Sequence, residues 1–373
     1  MLPKKKIKLF IFQPYPKFGG ADRSIIKLIN GLEFNDITLI SISKCNYSKY
    51  LNKKISYKKL NTKRVLFSIF KLRKFIKDNI ITNLSTKYII VSNQNFANII
   101  TIVSLLGLNK IKKILIERNH LDELKFYKNL TDFIKKKIIL SLMKLFYSKS
   151  DAIVGISKRL SKDLEIFVKS KVKTIYNASL EDKIFNNRPN KINLKNSKKI
   201  ILSVGYLEKQ KDHLTILKSI NILKNDYNNF ILIIIGKGNE LSNLKYYIKK
   251  NNLNRYVKIY QKINNPYFFY KKADLFVLSS IYEGFGNVLV EALKNGCPVI
   301  TSSCNSGPLE IINYGKYGEY FKPKDFKTLA KKIGNHFYNP SRLKEKSMNS
   351  FKYLEKFSLI KNINAFSNLF KKI

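Results

Sequence analysis

The chain has 373 residues, with 71 Lys and Arg against 25 Asp and Glu, a formal net charge of +46. Its 45% hydrophobic and 13% aromatic content supplies two hydrophobic cores, which excludes a disordered basic tail in spite of the charge. Three cysteines without zinc-motif spacing and three scattered histidines exclude a disulfide framework and a His-rich metal site.

The opening MLPKKKIKLFIFQPYP has a basic start, but its apolar run before Gln13 is too short for a signal-peptide core. It predicts a first buried strand, Ile7–Gln13, followed by an amphipathic helix over Ala21–Leu32. Strands Ile37–Ile42, Tyr88–Ser92, Lys113–Glu117, Ala152–Ile156 and Val172–Tyr176 follow, with a helix over Leu130–Tyr147 between two of them. This alternation is the mark of βαβ units and a parallel sheet covered by helices. Residues 178–197 are polar, contain Pro189 and show no sustained period, so they read as a linker. The alternation then restarts with strands Ile200–Val204, Phe230–Ile235, Val257–Tyr260, Leu275–Leu278 and Pro298–Thr301. The last segment, Pro340–Ile373, reads as helical. The fold class is α/β, with two doubly wound, Rossmann-like domains facing each other across a cleft. Their expected limits are 1–180 and 190–357, with a terminal helix 358–373 packing back on the first.

The chemistry concentrates in residues 279–312, SSIYEGFGNVLVEALKNGCPVITSSCNSGPLEII. Glu283 follows a buried strand in a turn with Gly284 and Gly286, and Glu291 falls about one turn inside a helix that starts near Asn287. Backbone N–H groups of such a turn and helix start face an anion, and small glycines let the backbone approach it. A carboxylate on either side of an anion site accepts hydrogen bonds from hydroxyls flanking a diphosphate, which is the layout of a nucleotide sugar.

This segment resembles the retaining glycosyltransferases of family 4, which have the GT-B fold. The resemblance rests on Glu283, Gly284, Phe285, Gly286, Asn287, Glu291, Gly296, Pro298, Gly307, Pro308 and Glu310, the family's Glu-x7-Glu pattern and its flanks. It implies that Glu283 contacts the hydroxyls of the donor sugar and Glu291 those of the ribose. Backbone groups of Phe285, Gly286 and Asn287 would line the sugar and phosphates. In IILSVGYLEKQKDHLTIL, Gly205 and Lys211 resemble the family's phosphate clamp, with Tyr206 where the family has Arg. Lys211 would neutralise charge on the leaving diphosphate. In PYPKFGGADRSIIKLINGL, Gly19-Gly20 resembles the family's glycine loop, which puts Gly20 on the donor side, with Asp22 where Glu is usual. Arg118, Asn119 and His120, at the end of another strand, match a pair that lines the acceptor side, where His120 would orient the acceptor or take its proton.

The implied reaction is a retaining hexosyl transfer from a nucleoside-diphosphate sugar, UDP by preference, to a hydroxyl of a lipid-linked or polysaccharide acceptor in cell-surface glycan synthesis. No Asp-x-Asp motif occurs, so neither a metal nor another cofactor is expected. Lysines spread through every segment suit compositional bias, and no nucleic-acid-binding motif accompanies them, so no specific nucleic acid is expected as partner. Segments 71–81 and 126–149 mix Lys with Phe, Tyr, Leu and Ile, a composition that suits an anionic membrane surface. No apolar run reaches the roughly 20 residues of a membrane span. The expected location is cytoplasmic, peripheral at the inner face of the cell membrane. Two other readings are a sugar-nucleotide epimerase of related fold and a non-catalytic sugar-nucleotide or polyanion binder.

Overall fold

The computed structural model describes residues 6–16, 20–45, 48–80, 85–180, 198–261, 263 and 266–373. Gly19 of the expected glycine loop and residues 181–197 of the expected linker lie outside these. The chain forms two compact units, Met1–Ala178 with Leu359–Ile373, and Ser179–Ser358.

Among the described residues, the first unit holds a seven-stranded sheet: β1 Lys6–Phe12, β2 Asp36–Ser41, β3 Ile55–Lys59, β4 Thr86–Asn93, β5 Ile111–Glu117, β6 Ala152–Gly155 and β7 Val172–Thr174. The order is β3-β2-β1-β4-β5-β6-β7, with every pair parallel. The second unit holds six: β8 Lys199–Val204, β9 Phe230–Ile235, β10 Val257–Tyr260, β11 Leu275–Leu278, β12 Val299–Ser302 and β13 Glu319–Phe321. Their order is β10-β9-β8-β11-β12-β13, again all parallel. Each sheet reverses its winding beside its first strand, between β1 and β4 and between β8 and β11. Ligands of doubly wound sheets bind outside the strand carboxyl ends at this reversal.

Central strands such as FILIII of β9 and LFVL of β11 are apolar on both faces because helices cover both. The expected strands correspond to all of these elements but β3 and β13, and they include the edge strands β7 and β10. Two edge strands were not expected. In β3, ISYKK, only Ile55 is buried and four residues face outward, so the run lacks apolar character. Lysines on such an edge also discourage pairing with another chain. With three residues, β13 is too short to show a period.

Local caps set the helix starts. Asn129 accepts from the Asp132 amide at 2.9 Å ahead of helix Leu130–Phe146, and Asp325 accepts from the Thr328 amide at 3.0 Å ahead of Phe326–Tyr338. The C-terminal helix Leu359–Lys372 belongs to the first unit. Asn362 Nδ2 donates to the Tyr176 carbonyl at 2.6 Å, and Lys87 Nζ donates to the carbonyls of Phe370 and Lys371 at 3.2 and 2.9 Å. Where the chain enters and leaves the second unit, its ends lie side by side: the Ser179 amide donates to the Phe357 carbonyl at 3.1 Å, and Leu180 bridges Ser358.

Candidate active site in the second unit

The loops after β8 and β11 meet at the point where the second sheet reverses. After β8 the chain passes Gly205 and makes a short turn, Lys209–Lys211. Asp212, at φ 46°, then caps helix His213–Leu223 through Thr215, whose Oγ1 donates to Asp212 Oδ2 at 2.7 Å. After β11, Ser279 Oγ donates to the carbonyls of Lys211 and Asp212 at 2.9 and 2.8 Å. The Ile281 amide donates to the Gln210 carbonyl at 2.8 Å, and Gln210 Nε2 donates to the Tyr282 carbonyl at 2.9 Å. These bonds lock the two loops together and bring Lys211 to Glu283.

Lys211 Nζ and Glu283 Oε1 form a close ion pair, and Ser280 Oγ donates to the same oxygen at 2.7 Å. Both side chains are largely shielded, with 17% of Lys211 and 8% of Glu283 exposed. Ser306 Oγ donates to the Glu283 carbonyl, which fixes the backbone as well. His213 beside the pair is buried; burial and the Lys211 charge lower its pKa to about 3, so its ring stays neutral. Cys304, also buried, has its thiol pushed up to about 12 by burial and by Glu283, and it remains a thiol.

Gly286 then starts helix Asn287–Lys294 at φ 101°, a left-handed conformation that a side chain would strain, with no side-chain cap on the helix start. Gly307 lies so close to Phe285 that an added Cβ would stand 2.3 Å from the Phe285 carbonyl oxygen. Phe285 packs edge-on against Phe357 at 5.0 Å, and Asn287 Oδ1 accepts from Ser179 Oγ at 2.7 Å. One turn into the helix, half-buried Glu291 accepts from the hydroxyl of Tyr270 at 3.0 Å.

The structure therefore gathers Lys211, Glu283, Phe285, Gly286, Asn287 and Glu291 on two neighbouring loops and one helix start, with Gly205 at the end of β8. Tyr206 and Lys209 of the same loop are exposed. Gly20, the first residue of helix Gly20–Gly31, belongs to the other unit.

In the first unit, Arg118 is the centre of a buried polar chain at the β1/β4 reversal. Its Nε donates to Asn93 Oδ1 and its Nη1 to Asn177 Oδ1, both at 2.6 Å. Asn93 Nδ2 donates to Gln13 Oε1 at 3.0 Å, and Gln13 Nε2 donates to Asp22 Oδ1 at 2.9 Å. All five residues are buried. Burial lowers the Arg118 pKa to about 10, with Asp22 opposing the shift. His120 is buried with both ring nitrogens engaged, Nε2 with Asp163 at 2.9 Å and Nδ1 with the Asp122 amide at 3.2 Å and its carboxylate at 3.0 Å. Both nitrogens are thus engaged within the first unit, and an acceptor proton could reach His120 only if one of these contacts opened. Half-buried Asn119 donates to Glu123.

Next to Arg118, Glu117 is wholly buried and accepts from the hydroxyl of Tyr147 and, at 2.8 Å, from Asn98. Burial raises its pKa to about 8 against the pull of these two donors. The folded chain thus holds the proton that an unfolded Glu releases near 4.5. The stabilisation is complete below that value and is lost as pH rises through about 8. Urea unfolding midpoints of the wild type should fall across this window, and Glu117→Gln, which keeps an acceptor for both donors, should flatten the decline.

Sequence patterns alone do not reveal Ser280, Ser306, Asn93 or Tyr270 as partners, since each acts only through contacts made by the fold. The pair of serines closing β11 was the nearest available signal.

Residues 185–353 match the family model described as Glycosyl transferases group 1. The chain is similar to the uncharacterized glycosyltransferase MJ1059 of Methanocaldococcus jannaschii, 31% identical over 263 residues and covering 63% of each chain. It is 34% identical over 196 residues, 52% of each chain, to the N-acetylgalactosamine-N,N'-diacetylbacillosaminyl-diphospho-undecaprenol 4-alpha-N-acetylgalactosaminyltransferase of Campylobacter jejuni. The matches thus span less than two thirds of either relative's length. Among solved structures, it is similar to Anabaena Alr3699/HepE in complex with UDP-glucose, with a TM-score of 0.80 and 15% identity over 98% of this chain and 100% of that one. The fold is that of the GT-B glycosyltransferases, with two parallel-sheet Rossmann-like units.

Proposed function

We propose that the chain is a retaining, metal-independent glycosyltransferase that moves a hexosyl group from a UDP-sugar to a hydroxyl of a lipid-linked or polysaccharide acceptor. The observation that carries this reading is the Lys211–Glu283 pair at the carboxyl ends of β8 and β11, where a doubly wound sheet receives a diphosphate. On donor binding, Lys211 Nζ turns to the diphosphate and the Glu283 carboxylate accepts from sugar hydroxyls, with Ser280 holding its orientation. Glu291 accepts from the ribose hydroxyls, and the backbone from Phe285 to Asn287 faces the phosphates and sugar. The bond from the anomeric carbon to the diphosphate then breaks while the acceptor oxygen bonds the same face. The acceptor proton passes to the leaving phosphate oxygen. Lys211 and the uncapped helix start stabilise the charge that develops there, so no enzymic nucleophile or metal is needed.

UDP as donor is supported by the UDP-glucose held in HepE, and a lipid-linked acceptor by the diphospho-undecaprenol in the Campylobacter relative's name. The acceptor would bind at the carboxyl edge of the first unit's sheet, which the Arg118 chain shapes from beneath. No helix among the described residues is long and apolar enough to cross a membrane. Helix Leu130–Phe146, however, buries only Ile139 and Met143, and Leu130, Ile134, Ile138 and Leu145 on one side are 49–71% exposed. Lys128, Lys135, Lys137 and Lys144 are exposed beside them, a pattern that suits an anionic bilayer surface at the inner face of the membrane. No observation favours the epimerase or the non-catalytic binder.

One assay tests this reading: release of nucleoside diphosphate from a panel of UDP-sugars with polyprenyl-diphosphate acceptors in vesicles. Turnover should need donor and acceptor together, rise in anionic over zwitterionic vesicles, and lose that rise in Ile134→Glu/Ile138→Glu. Sugar conversion without acceptor would identify an epimerase, and binding without turnover a binder.

A further inference from the structure

Glu291 stands on the first turns of helix Asn287–Lys294, and its Oε2 accepts from a phenol that is not part of the assigned donor site. That phenol, Tyr270, lies on the short helix Tyr267–Lys272 and is 1% exposed. Its ring is clamped edge-on by Tyr267 at 6.1 Å and tilted against Phe276 of β11 at 5.5 Å. Phe269 and Phe276 around it are fully buried. The hydroxyl therefore has one place to be, and it points at a carboxylate that is itself only half-buried.

A glutamate on a helix has three side-chain torsions, and an exposed one samples many rotamers. A bond from an immobile donor to one oxygen selects a single rotamer and fixes the plane of the carboxylate. A carboxylate has about four lone-pair sites, so the Tyr270 bond is compatible with simultaneous acceptance from two vicinal hydroxyls. Preorganising the acceptor in this way removes the cost of ordering it when ligand binds. Burial and the neighbouring Glu291 also hold the phenol pKa well above its usual value, so Tyr270 stays a donor throughout the neutral range.

We infer that Tyr270 is a positioning residue that aims Glu291 at the ribose and so sets the preference of this site for ribonucleoside over deoxyribonucleoside diphosphates. The inference rests on the proposed reading that Glu291 accepts from the ribose hydroxyls. Sites that hydrogen-bond a ligand hydroxyl discriminate against ligands lacking it because their own buried polar groups are left unpaired.

The test is calorimetric titration of the full chain with UDP, 2′-deoxy-UDP and 3′-deoxy-UDP, using the wild type, Tyr270→Phe and Glu291→Ala. The wild type should bind UDP roughly tenfold more tightly than the deoxy nucleotides, the factor that one good hydrogen bond of about 1.4 kcal/mol provides. Tyr270→Phe should weaken UDP binding and leave the deoxy nucleotides nearly unchanged, bringing the ratio to about two- to threefold. Phe keeps the ring in its aromatic clamp; 3-fluorotyrosine at 270, a stronger donor of nearly the same size, should keep or raise the ratio and covers the case in which Phe disturbs folding. If Tyr270→Phe weakens all three nucleotides equally, or leaves the ratio intact while Glu291→Ala abolishes it, Tyr270 is structural and the inference is overturned by itself. If the wild type has no ribose preference and Glu291→Ala changes nothing, the Glu291 reading fails and takes the inference with it.

Discussion

Lys211→Met is expected to lower turnover at saturating donor by about 10²–10³-fold, the range seen when one preorganised group facing transition-state charge is removed. The same change leaves Glu283, 8% exposed, with Ser280 as its remaining side-chain donor. Breaking a shielded pair from one side costs about 3–5 kcal/mol. The single variant should therefore also melt early. Adding Glu283→Gln removes the stranded charge, so the double variant should recover most of the lost stability while turnover stays low. The two readouts separate: thermal melting reports the pair, and turnover reports what the pair does when a diphosphate replaces one member. If Lys211→Met kept more than about a third of wild-type turnover, leaving-group stabilisation would have to come from elsewhere, since a single such donor is worth several kcal/mol.

The second large effect belongs to Arg118. Arg118→Met removes the guanidinium donor from buried Asn93 Oδ1 and one donor from buried Asn177. The acceptor stranded at Asn93 costs about 1–3 kcal/mol, so a loss of at least that size is expected. The loss should appear in denaturant unfolding followed by a fluorophore placed in the first unit. UDP affinity, which the proposed function assigns to residues of the second unit, should change little, as sites with no shared partners usually behave additively. Should Arg118→Met instead unfold like the wild type and lose only affinity for the acceptor, Arg118 would be a direct acceptor ligand and not the centre of a buried frame.

The contrast between these two sites shows what the sequence makes legible. The two doubly wound units can be read from apolar runs alternating with amphipathic helices, because strands covered on both faces have to be apolar throughout. The edge strand β3 breaks that rule: it is mostly Lys and Tyr facing outward, so nothing in its composition separates it from a loop. In the second unit, Glu283, Gly286 and Glu291 lie within one turn and one helix start, so local spacing predicts that they share a site. Lys211 is 72 residues from Glu283, and only a motif resemblance linked the two before the sheet order placed β8 beside β11. The chain Asp22–Gln13–Asn93–Arg118–Asn177 is assembled from five separate segments, and no local pattern encodes it. Position at a strand end suggested that Arg118 and His120 face a ligand. Both are buried, Arg118 bonded through Nε and Nη1 to Asn93 and Asn177 and His120 through both ring nitrogens to Asp163 and Asp122, and these partners come from segments that no local pattern links.

On the proposed function, a donor's diphosphate binds at the carboxyl ends of β8 and β11, held by Lys211. A crystal structure of the chain with bound UDP tests it most directly. Diphosphate oxygens should lie within hydrogen-bond distance of Lys211 Nζ, with the Lys211–Glu283 pair opened and the Glu291 carboxylate on the ribose hydroxyls. A nucleotide bound elsewhere on the second unit, with Lys211 still paired to Glu283, would contradict it.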